Sequence, residues 1–266
     1  MPNKKIPKIS IVMAYYNRRQ LLLNTLKTIQ CSSKVNDIEV IITDDGSDKL
    51  NLIHDIPSKF NFPIHIIRVD QKDKWYTNPS VPYNMAIKMA KGDIIVLQNP
   101  EVMHTDDILY DIVKKINNDV YLTYGVYAAN QITTTQLNKL DYSSNDVLRQ
   151  IRGIINPLKI SKTDWYNHSI HRPVGFHFLT AITRKNMVNL NGFDERYATG
   201  IDYDDSELLH RIKRNNIQVV FIDDLVAVHQ QHPKMAYNYT NLLELREKNK
   251  DLFFNTTLKE TGWQKN

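Results

Sequence analysis

The chain has 266 residues, of which 42% are hydrophobic, and its 34 basic and 29 acidic residues give a formal net charge of +5. This composition indicates a globular protein, and because the basic residues are spread along the chain, it favours small anionic ligands over nucleic acid. A single cysteine excludes an intrachain disulfide, and the sequence contains neither a signal peptide nor the ~18 apolar residues of a membrane span, so we expect a cytoplasmic protein without an integral membrane segment.

The first hundred residues alternate between predicted strands and helices. Strands are expected at residues 8–13, 38–43, 64–69 and 93–98. Helical spacing of apolar residues predicts one helix after an N-cap at Asn17 and a second that begins at a cap at Ser80 and closes at Gly92. The fourth strand is rich in β-branched residues, which places it at the centre of a parallel sheet. Helices between parallel strands form βαβ units, so this half is predicted to be a nucleotide-binding half-sheet.

The second half of the chain is less regular. Helices are predicted at residues 105–116 and 186–190, from Asp204 onward, and at 241–253; strands are predicted at 120–128, 178–183, 219–222 and 226–229. Residues 130–145 are polar and weakly patterned, which favours a loop, and residues 148–172 mix basic and aromatic side chains without clear periodicity.

Polar residues gather where two predicted strands of the first half end. Ligands of open α/β sheets bind beyond the carboxyl ends of the strands, so Asp44-Asp45-Gly46-Ser47 and Asn99-Pro100-Glu101 lie where chemistry is expected. Both segments can also be explained as simple turns. The first strand is not followed by Gly-x-Gly-x-x-Gly or by a Gly-rich basic loop, which argues against a dinucleotide-dependent oxidoreductase and a sugar nucleotidyltransferase.

Four segments, in this order, resemble the landmarks of family 2 glycosyltransferases with the GT-A fold. They are Ile11-Val12-Met13-Ala14-Tyr15-Tyr16-Asn17, Asp44-Asp45-Gly46-Ser47, Gly92-Asp93 with the strand end at Asn99-Pro100-Glu101, and Gly192-Phe193-Asp194-Glu195 with Asp204-Asp205. The resemblance covers about residues 8–230 and implies a single α/β, Rossmann-like GT-A domain, with a mostly parallel central sheet flanked by helices and an acceptor-side lobe. It further implies a nucleotide-diphosphate sugar donor, a saccharide or glycoconjugate acceptor, a divalent Mn²⁺ or Mg²⁺ ion, and inversion at the anomeric carbon.

Matching positions divide the chain by role. Residues 1–103 would form the nucleotide-sugar-binding half, residues 104–232 the acceptor-binding and catalytic half, and residues 233–266 a C-terminal helical tail. Asp45 would contact the base of the nucleotide, taken to be uracil in a UDP-sugar. The other donor-binding residues implied are Ala14, Tyr15, Tyr16, Asn17, Lys74, Asn84, Gln98 and Asn99.

Glu101 is expected to bind the metal, because Mg²⁺ and Mn²⁺ require hard oxygen ligands. His229 at a later strand end is the expected second ligand, and His232 is left open as the alternative. A strand-end carboxylate that faces a cleft should contribute little to the core.

Two positions depart from the family pattern. Asn99 is neutral where the family has Asp, and Tyr83 stands where the family often presents an Arg to the diphosphate. Phosphate charge must then be met elsewhere, and Lys74 is a candidate. Both departures keep open a second function, that of a catalytically weak nucleotide-sugar-binding pseudo-enzyme or scaffold.

The resemblance implies that Asp205 is the general base and that Asp204 holds an acceptor hydroxyl. The pair can also be explained as acidic residues that stabilise the first turn of a helix. Since a helix N-terminus lowers a carboxyl pKa, a base there needs partial burial or a nearby carboxylate such as Asp202.

Overall fold

The computed structural model describes residues 8–233 and 239–257. In this part of the chain, one sheet of nine strands runs through the domain. Its strands are β1 (Ile9–Tyr15), β2 (Ile38–Asp44), β3 (Ile64–Arg68), β4 (Ile94–Gln98), β5 (Val102–His104), β6 (Val120–Ala128), β7 (Trp165–Asn167), β8 (Leu179–Thr183) and β9 (Gln218–His229). Their spatial order is β3-β2-β1-β4-β8-β6-β9-β5, and β7 pairs with β6.

Eight α-helices flank this sheet within the described residues. They are α1 (Arg19–Gln30), α2 (Ser80–Met89), α3 (Ile108–Lys115), α4 (Gln131–Leu137), α5 (Val147–Ile155), α6 (Arg184–Asn189), α7 (Asp204–Arg214) and α8 (Leu242–Leu252). None of these helices combines the length and apolar character needed to cross a bilayer.

The direction of the strands confirms the predicted α/β class. β1 pairs in parallel with β2 and β4, and β2 pairs in parallel with β3, as expected for the half-sheet. β8 then runs antiparallel between β4 and β6, and β6 pairs in parallel with β9 over most of its length. One sheet therefore spans both predicted halves, and the proposed boundary after residue 103 falls inside β5.

Alternate side chains of each central strand face opposite layers. Ile11 and Met13 of β1 pack with Leu22 and Leu26 of α1 in one buried cluster, whereas Val12 packs with residues of α2, α6 and α7 on the other face. Full burial of a Leu or Ile side chain contributes about 1.5–3 kcal/mol, so this two-sided burial holds the carboxyl ends of β1, β2 and β4 at one edge of the sheet.

Residues 130–172 contain more regular structure than predicted. The expected loop at 130–145 contains α4, whose first turn is capped by Asn130 through a bond from Thr133 N. The supposedly aperiodic stretch after it contains α5, whose Val147, Ile151 and Ile155 recur every four residues and are fully buried. With Met103, Tyr127 and Trp165, these residues form a separate apolar cluster.

The predicted caps at Asn17 and Ser80 are wrong. Asn17 adopts a left-handed φ of 49° and accepts a hydrogen bond from Asp48 N, so Arg18 becomes the N-cap of α1. Ser80 is the first residue of α2, and its backbone N–H and hydroxyl both donate to Asn78 Oδ1.

Two boundaries in the second half also differ from the prediction. The helix expected at 105–116 begins at Ile108, because residues 102–104 pair with β9 and Asp107 caps the helix. The strands expected at 219–222 and 226–229 are a single strand, β9, with a register shift opposite Tyr124 and Gly125. The predicted C-terminal helix is confirmed as α8; residues 234–238 and 258–266 of the predicted tail lie outside the described residues.

Candidate active site

A chain of direct contacts connects the end of β4 with the acid pair at the start of α7. The Tyr83 hydroxyl donates to Asn99 Oδ1 at 3.0 Å, and the Tyr83 ring lies 4.7 Å from the ring of His177. His177 in turn bonds to Asp205 at the start of α7. The end of β4 and the acid pair are therefore parts of one site.

Asp45, directly after β2, is held by two partners. Lys74 Nζ lies 2.8 Å from Asp45 Oδ2, and the Tyr76 hydroxyl donates to Asp45 Oδ1 at 2.6 Å. Burial and the adjacent Asp45 carboxylate raise the pKa of Tyr76, so its hydroxyl stays protonated and remains a donor. Lys74 also lies 5.4 Å from the centre of the Tyr16 ring. The positive charge of Lys74 is thus already offset by Asp45.

The residues at the end of β1 that were predicted to bind the nucleotide sugar differ in how accessible they are. Tyr15 is fully buried and its hydroxyl donates to Asn51 O, and Asn17 is tied to the following loop through Ser47 and Asp48. Ala14 and Tyr16 are only partly buried. Tyr15 and Asn17 therefore shape the loop, and Tyr16 is the ring left beside Lys74.

Asn84 and Gln98 are buried, and their amides bond to protein groups. Asn84 Nδ2 donates to Phe193 O, and Asn84 Oδ1 accepts from Phe193 N. Gly192 has a φ of +67°, and a Cβ at this position would lie 2.4 Å from Asn84 Oδ1. Gln98 Nε2 donates to Val102 O, and its Oε1 meets His104 Nε2. Both amides join segments of the site to each other.

Glu101 is the centre of a cluster of charged and imidazole groups. Its Oε1 lies 3.2 Å from His229 Nε2, 3.1 Å from His232 Nε2 and 3.0 Å from Arg18 Nη1. The Glu101 side chain is only 2% exposed. Burial opposes its ionisation, but Arg18 and the two imidazoles outweigh that effect and hold the pKa of Glu101 well below its usual range. Glu101 is an anion at neutral pH.

The three side chains fit a divalent cation. Ligand atoms of Glu101, His229 and His232 all lie within 4.8 Å of one another. The His232 ring contacts an acceptor oxygen at each nitrogen, Pro233 O at Nδ1 and Glu101 Oε1 at Nε2. A neutral ring has one N–H and can donate to only one of these two oxygens, so the other ring nitrogen faces an acceptor with its lone pair; a cation between Nε2 and Glu101 would remove this mismatch and leave Nδ1 to donate to the carbonyl. Burial lowers the pKa of His229, which keeps that ring neutral and able to act as a ligand.

The acid pair begins α7 after an unusual turn. Asp202 and Tyr203 both have left-handed φ values, 63° and 67°. Asn249 of α8 is buried and donates to Asp202 O and Tyr197 O, which fixes this turn from behind. Asp204 therefore enters the helix buried, whereas Asp205 is partly exposed.

Asp204 and Asp205 have different environments. Asp205 Oδ1 accepts from the backbone N–H and from Nδ1 of His177. Burial and the charge of Asp205 raise the pKa of Asp204 to about 7. Burial would lower the pKa of His177, but the charges of Asp205 and Asp204 outweigh it and raise that pKa. A base at this helix N-terminus was expected to need burial or a nearby carboxylate to raise its pKa. Both effects are present, but they raise the pKa of Asp204.

The sequence places His171, Arg172 and His177 on the expected acceptor side and leaves Tyr166 open as a stacking or a core residue, but it does not identify Arg18 as part of the site. Arg18 and His177 contact the predicted metal ligand and the predicted base, from positions 83 and 28 residues away along the chain. The Tyr166 ring lies 4.3 Å from the His229 ring, and Arg172 Cζ lies 5.7 Å from the Tyr166 ring. For Tyr166 and Arg172 the sequence signal is the concentration of aromatic and basic residues at 148–172, and no local pattern marks the contact of Arg18 with Glu101.

Solved structures share this architecture. The mannosyltransferase PcManGT from Pyrobaculum calidifontis, in complex with GDP-Man and Mn²⁺, superposes with a TM-score of 0.58 at 15% identity over 98% of this chain and 66% of that one. S. aureus TarS 1-349 in complex with UDP-GlcNAc gives a TM-score of 0.60 at 12% identity over 90% of this chain and 64% of that one. The fold is thus the GT-A fold.

Sequence comparison shows the family. The model for glycosyl transferase family 2 matches residues 10–181, and the chain belongs to this family. The uncharacterized glycosyltransferase YfnE of Bacillus subtilis is 23% identical over an alignment of 267 residues that covers 85% of this chain and 65% of that protein. Chondroitin synthase of Escherichia coli is 24% identical over an alignment of 247 residues that covers 86% of this chain and 35% of that protein. The chain spans less than two thirds of the length of these relatives.

Proposed function

We propose that this protein is a glycosyltransferase that moves a sugar from a nucleotide-diphosphate sugar, a UDP-sugar in particular, to a hydroxyl of a glycan or glycoconjugate. The transfer uses a divalent cation and inverts the anomeric carbon. The observation that carries the proposal is that the cluster of Glu101, His229 and His232 lies next to the acid pair Asp204–Asp205: the Phe178 ring contacts both His229 and the His177 ring that bonds to Asp205. Membership of glycosyl transferase family 2 and the nucleotide sugars bound by the structural neighbours support it.

The nucleotide is proposed to bind beyond the ends of β1 and β2. The two carboxylate oxygens of Asp45 are held by Lys74 and Tyr76, one each, and can accept a further hydrogen bond from a base N–H. The partly exposed ring of Tyr16 offers a surface on which the base can stack. Trp75 is 57% exposed beside Tyr76, so it is not a core residue and is free to cover a bound nucleotide.

Glu101, His229 and His232 would hold Mn²⁺ or Mg²⁺, which when bound neutralises the charge that develops on the leaving nucleoside diphosphate. The donor set of one carboxylate and two imidazoles favours Mn²⁺ over Mg²⁺, because Mg²⁺ prefers oxygen ligands and Mn²⁺ accepts nitrogen more readily. Tyr166 and Phe178 pack against His229 and keep its ring in place.

Asp205 is proposed to act as the general base. Because His177 occupies Oδ1, Asp205 Oδ2 is the atom left to take the proton of the acceptor hydroxyl. As that proton moves to Oδ2, the hydroxyl oxygen forms its bond to the anomeric carbon, and the bond from that carbon to the diphosphate oxygen breaks. Asp204, whose pKa is raised to about 7, is partly protonated at neutral pH and is proposed to hold an acceptor hydroxyl.

A nucleotide-sugar-binding protein without transfer activity is the second candidate. This candidate is favoured by the two departures from the family pattern, Asn99 in place of an Asp and Tyr83 in place of a frequent Arg. The two side chains bond to each other, since the Tyr83 hydroxyl donates to Asn99 Oδ1 at 3.0 Å. The occupied base position and the complete three-ligand cluster favour the enzyme.

A thermal-shift screen tests donor binding without knowledge of the acceptor. A ligand that binds the native state raises the melting temperature, so UDP-sugars should stabilise the protein in the presence of Mn²⁺ and much less in EDTA. GDP-mannose serves as the matched comparison. Stabilisation by no nucleotide sugar in either condition would contradict the proposal, and stabilisation by GDP-mannose alone would contradict its uridine part.

A further inference from the structure

Arg18 places a positive charge on Glu101. Its Nη1 lies 3.0 Å from Glu101 Oε1 and 3.1 Å from Oε2, so a single nitrogen contacts both carboxylate oxygens. The Arg18 side chain is 20% exposed, against 2% for Glu101. Arg18 thus reaches from the cleft to a buried anion.

The contact uses the oxygens that a cation would need. Oε1 is also the atom approached by His229 and His232, so a cation bound by all three side chains would sit at the carboxylate edge where Nη1 now lies. Two positive groups within about 4 Å of each other repel strongly in a site largely screened from water. Arg18 and the cation therefore compete for Glu101.

Within the described part of the chain, the hydrogen bonds of the Arg18 side chain all go to Glu101 through Nη1. The Nε and Nη2 donors of the guanidinium remain for a ligand, and guanidinium groups match the geometry of phosphate oxygens. Lys74, the other candidate for the phosphates, is already paired with Asp45 at 2.8 Å.

We propose that Arg18 is the counterion of Glu101 in the metal-free protein and that it binds the diphosphate of the donor once a divalent cation replaces it on Glu101. The inference rests on the proposed function and names the residue that takes the place of the Arg missing at Tyr83. Ligands of one Mg²⁺ or Mn²⁺ ion lie about 2.1 Å from it, so phosphate oxygens on the same ion as Glu101 are within about 4 Å of the carboxylate that Arg18 now contacts. Arg18 can exchange one anion for the other with a short movement.

The proposal predicts two opposite changes in affinity when Arg18 is removed. If the cation must displace Arg18, removal of Arg18 should strengthen binding of the cation alone; if Arg18 then binds the diphosphate, removal should weaken binding of UDP to the metal-loaded protein. A hydrogen bond to a charged group contributes enough to change each affinity about tenfold to a hundredfold. The two changes have opposite signs, which a merely structural residue would not produce.

Isothermal titration calorimetry on the full chain tests both changes. Arg18→Gln should bind Mn²⁺ about tenfold more tightly than wild type without nucleotide and should bind UDP about tenfold more weakly at saturating Mn²⁺, with uridine binding unchanged. Arg19→Gln is the matched control, since Arg19 bonds to Leu52 O and Asp55 on the neighbouring loop and should leave all three affinities unchanged.

Arg18→Lys covers the case in which Arg18→Gln does not fold, because it keeps a positive charge beside Glu101. It should bind Mn²⁺ as wild type does and still bind UDP more weakly, since lysine lacks the fork of donors. Mn²⁺ affinity in Arg18→Gln equal to or below that of wild type, or UDP affinity unchanged in Arg18→Lys, would overturn the inference while the proposed function stands. A wild-type protein that binds neither Mn²⁺ nor UDP would overturn both.

Discussion

Asp204→Asn tests the electrostatics of the acid pair through the stability of the protein. Asp204 is 6% exposed, and burial and the charge of Asp205 raise its pKa from 3.8 to about 7. Since one pKa unit is worth about 1.36 kcal/mol, this difference corresponds to about 4 kcal/mol between the two protonation states. Between pH 4 and pH 7 the folded protein keeps the proton while the unfolded chain loses it, so ionisation of Asp204 lowers the free energy of unfolding as the pH rises.

Asparagine cannot ionise, so the variant should lose this pH dependence. Compared with wild type, Asp204→Asn should gain up to about 4 kcal/mol of stability between about pH 4 and pH 8, as measured by urea unfolding. The raised pKa of His177 also lowers stability as the pH rises, but only above its ordinary pKa of 6.5, so measurements at pH 4.5 and pH 6 isolate Asp204.

Glu247→Gln on the exposed face of α8 is the control and should leave the pH dependence unchanged, because the Glu247 side chain is 60% exposed. If the stability difference between wild type and Asp204→Asn is the same at pH 4.5 and pH 6 to within about 0.5 kcal/mol, Asp204 ionises normally and the reasoning fails.

Three further predictions concern the individual roles. Asp205→Asn should lower turnover about 10²–10⁴-fold in a donor-consumption assay, with donor affinity by calorimetry nearly unchanged; if activity is retained, the base lies elsewhere. Asp45→Ala should weaken UDP binding by about 1–3 kcal/mol in calorimetry, and unchanged affinity would remove Asp45 from the nucleotide site. Glu101→Gln should abolish the Mn²⁺ enhancement of UDP binding and lower the free energy of unfolding by about 1–3 kcal/mol, because it leaves Arg18, His229 and His232 without their anion. Persistence of the Mn²⁺ enhancement in Glu101→Gln would show that the segment after β4 is only a turn.

The first half of the fold follows from local patterns. Apolar runs predicted β1 to β4 to within a residue or two, because β1, β2 and β4 are buried on both faces and the edge strand β3 is still largely apolar. The strand ends then located Asp45 and Glu101 without any knowledge of tertiary contacts. What local pattern could not give was the burial of Glu101: the expectation that this carboxylate would contribute little to the core is wrong, since three side chains converge on it.

The rest of the site depends on contacts between distant segments. Arg18, His177 and His232 lie in loops whose courses are decided by packing, and no periodic signal marks them. The sequence does not predict the helices α4 and α5 for a different reason. The buried face of α4 is mostly polar, with Thr133 and Thr134 beside Leu137, and α5 is only nine residues long, so its apolar stripe spans little more than two turns. A test of four-residue spacing over this short window would have found α5.

Release of UDP from a UDP-sugar tests the central claim most directly. The donor that stabilises the wild-type protein most in the presence of Mn²⁺ should be turned over, by transfer to a glycan acceptor or slowly to water, and EDTA should stop the reaction. Asp205→Asn should bind the same donor and release UDP at least about 10²-fold more slowly. Tight, Mn²⁺-dependent binding of the donor by the wild-type protein with no UDP release, across a panel of glycan acceptors, would contradict the account and identify a nucleotide-sugar-binding protein instead.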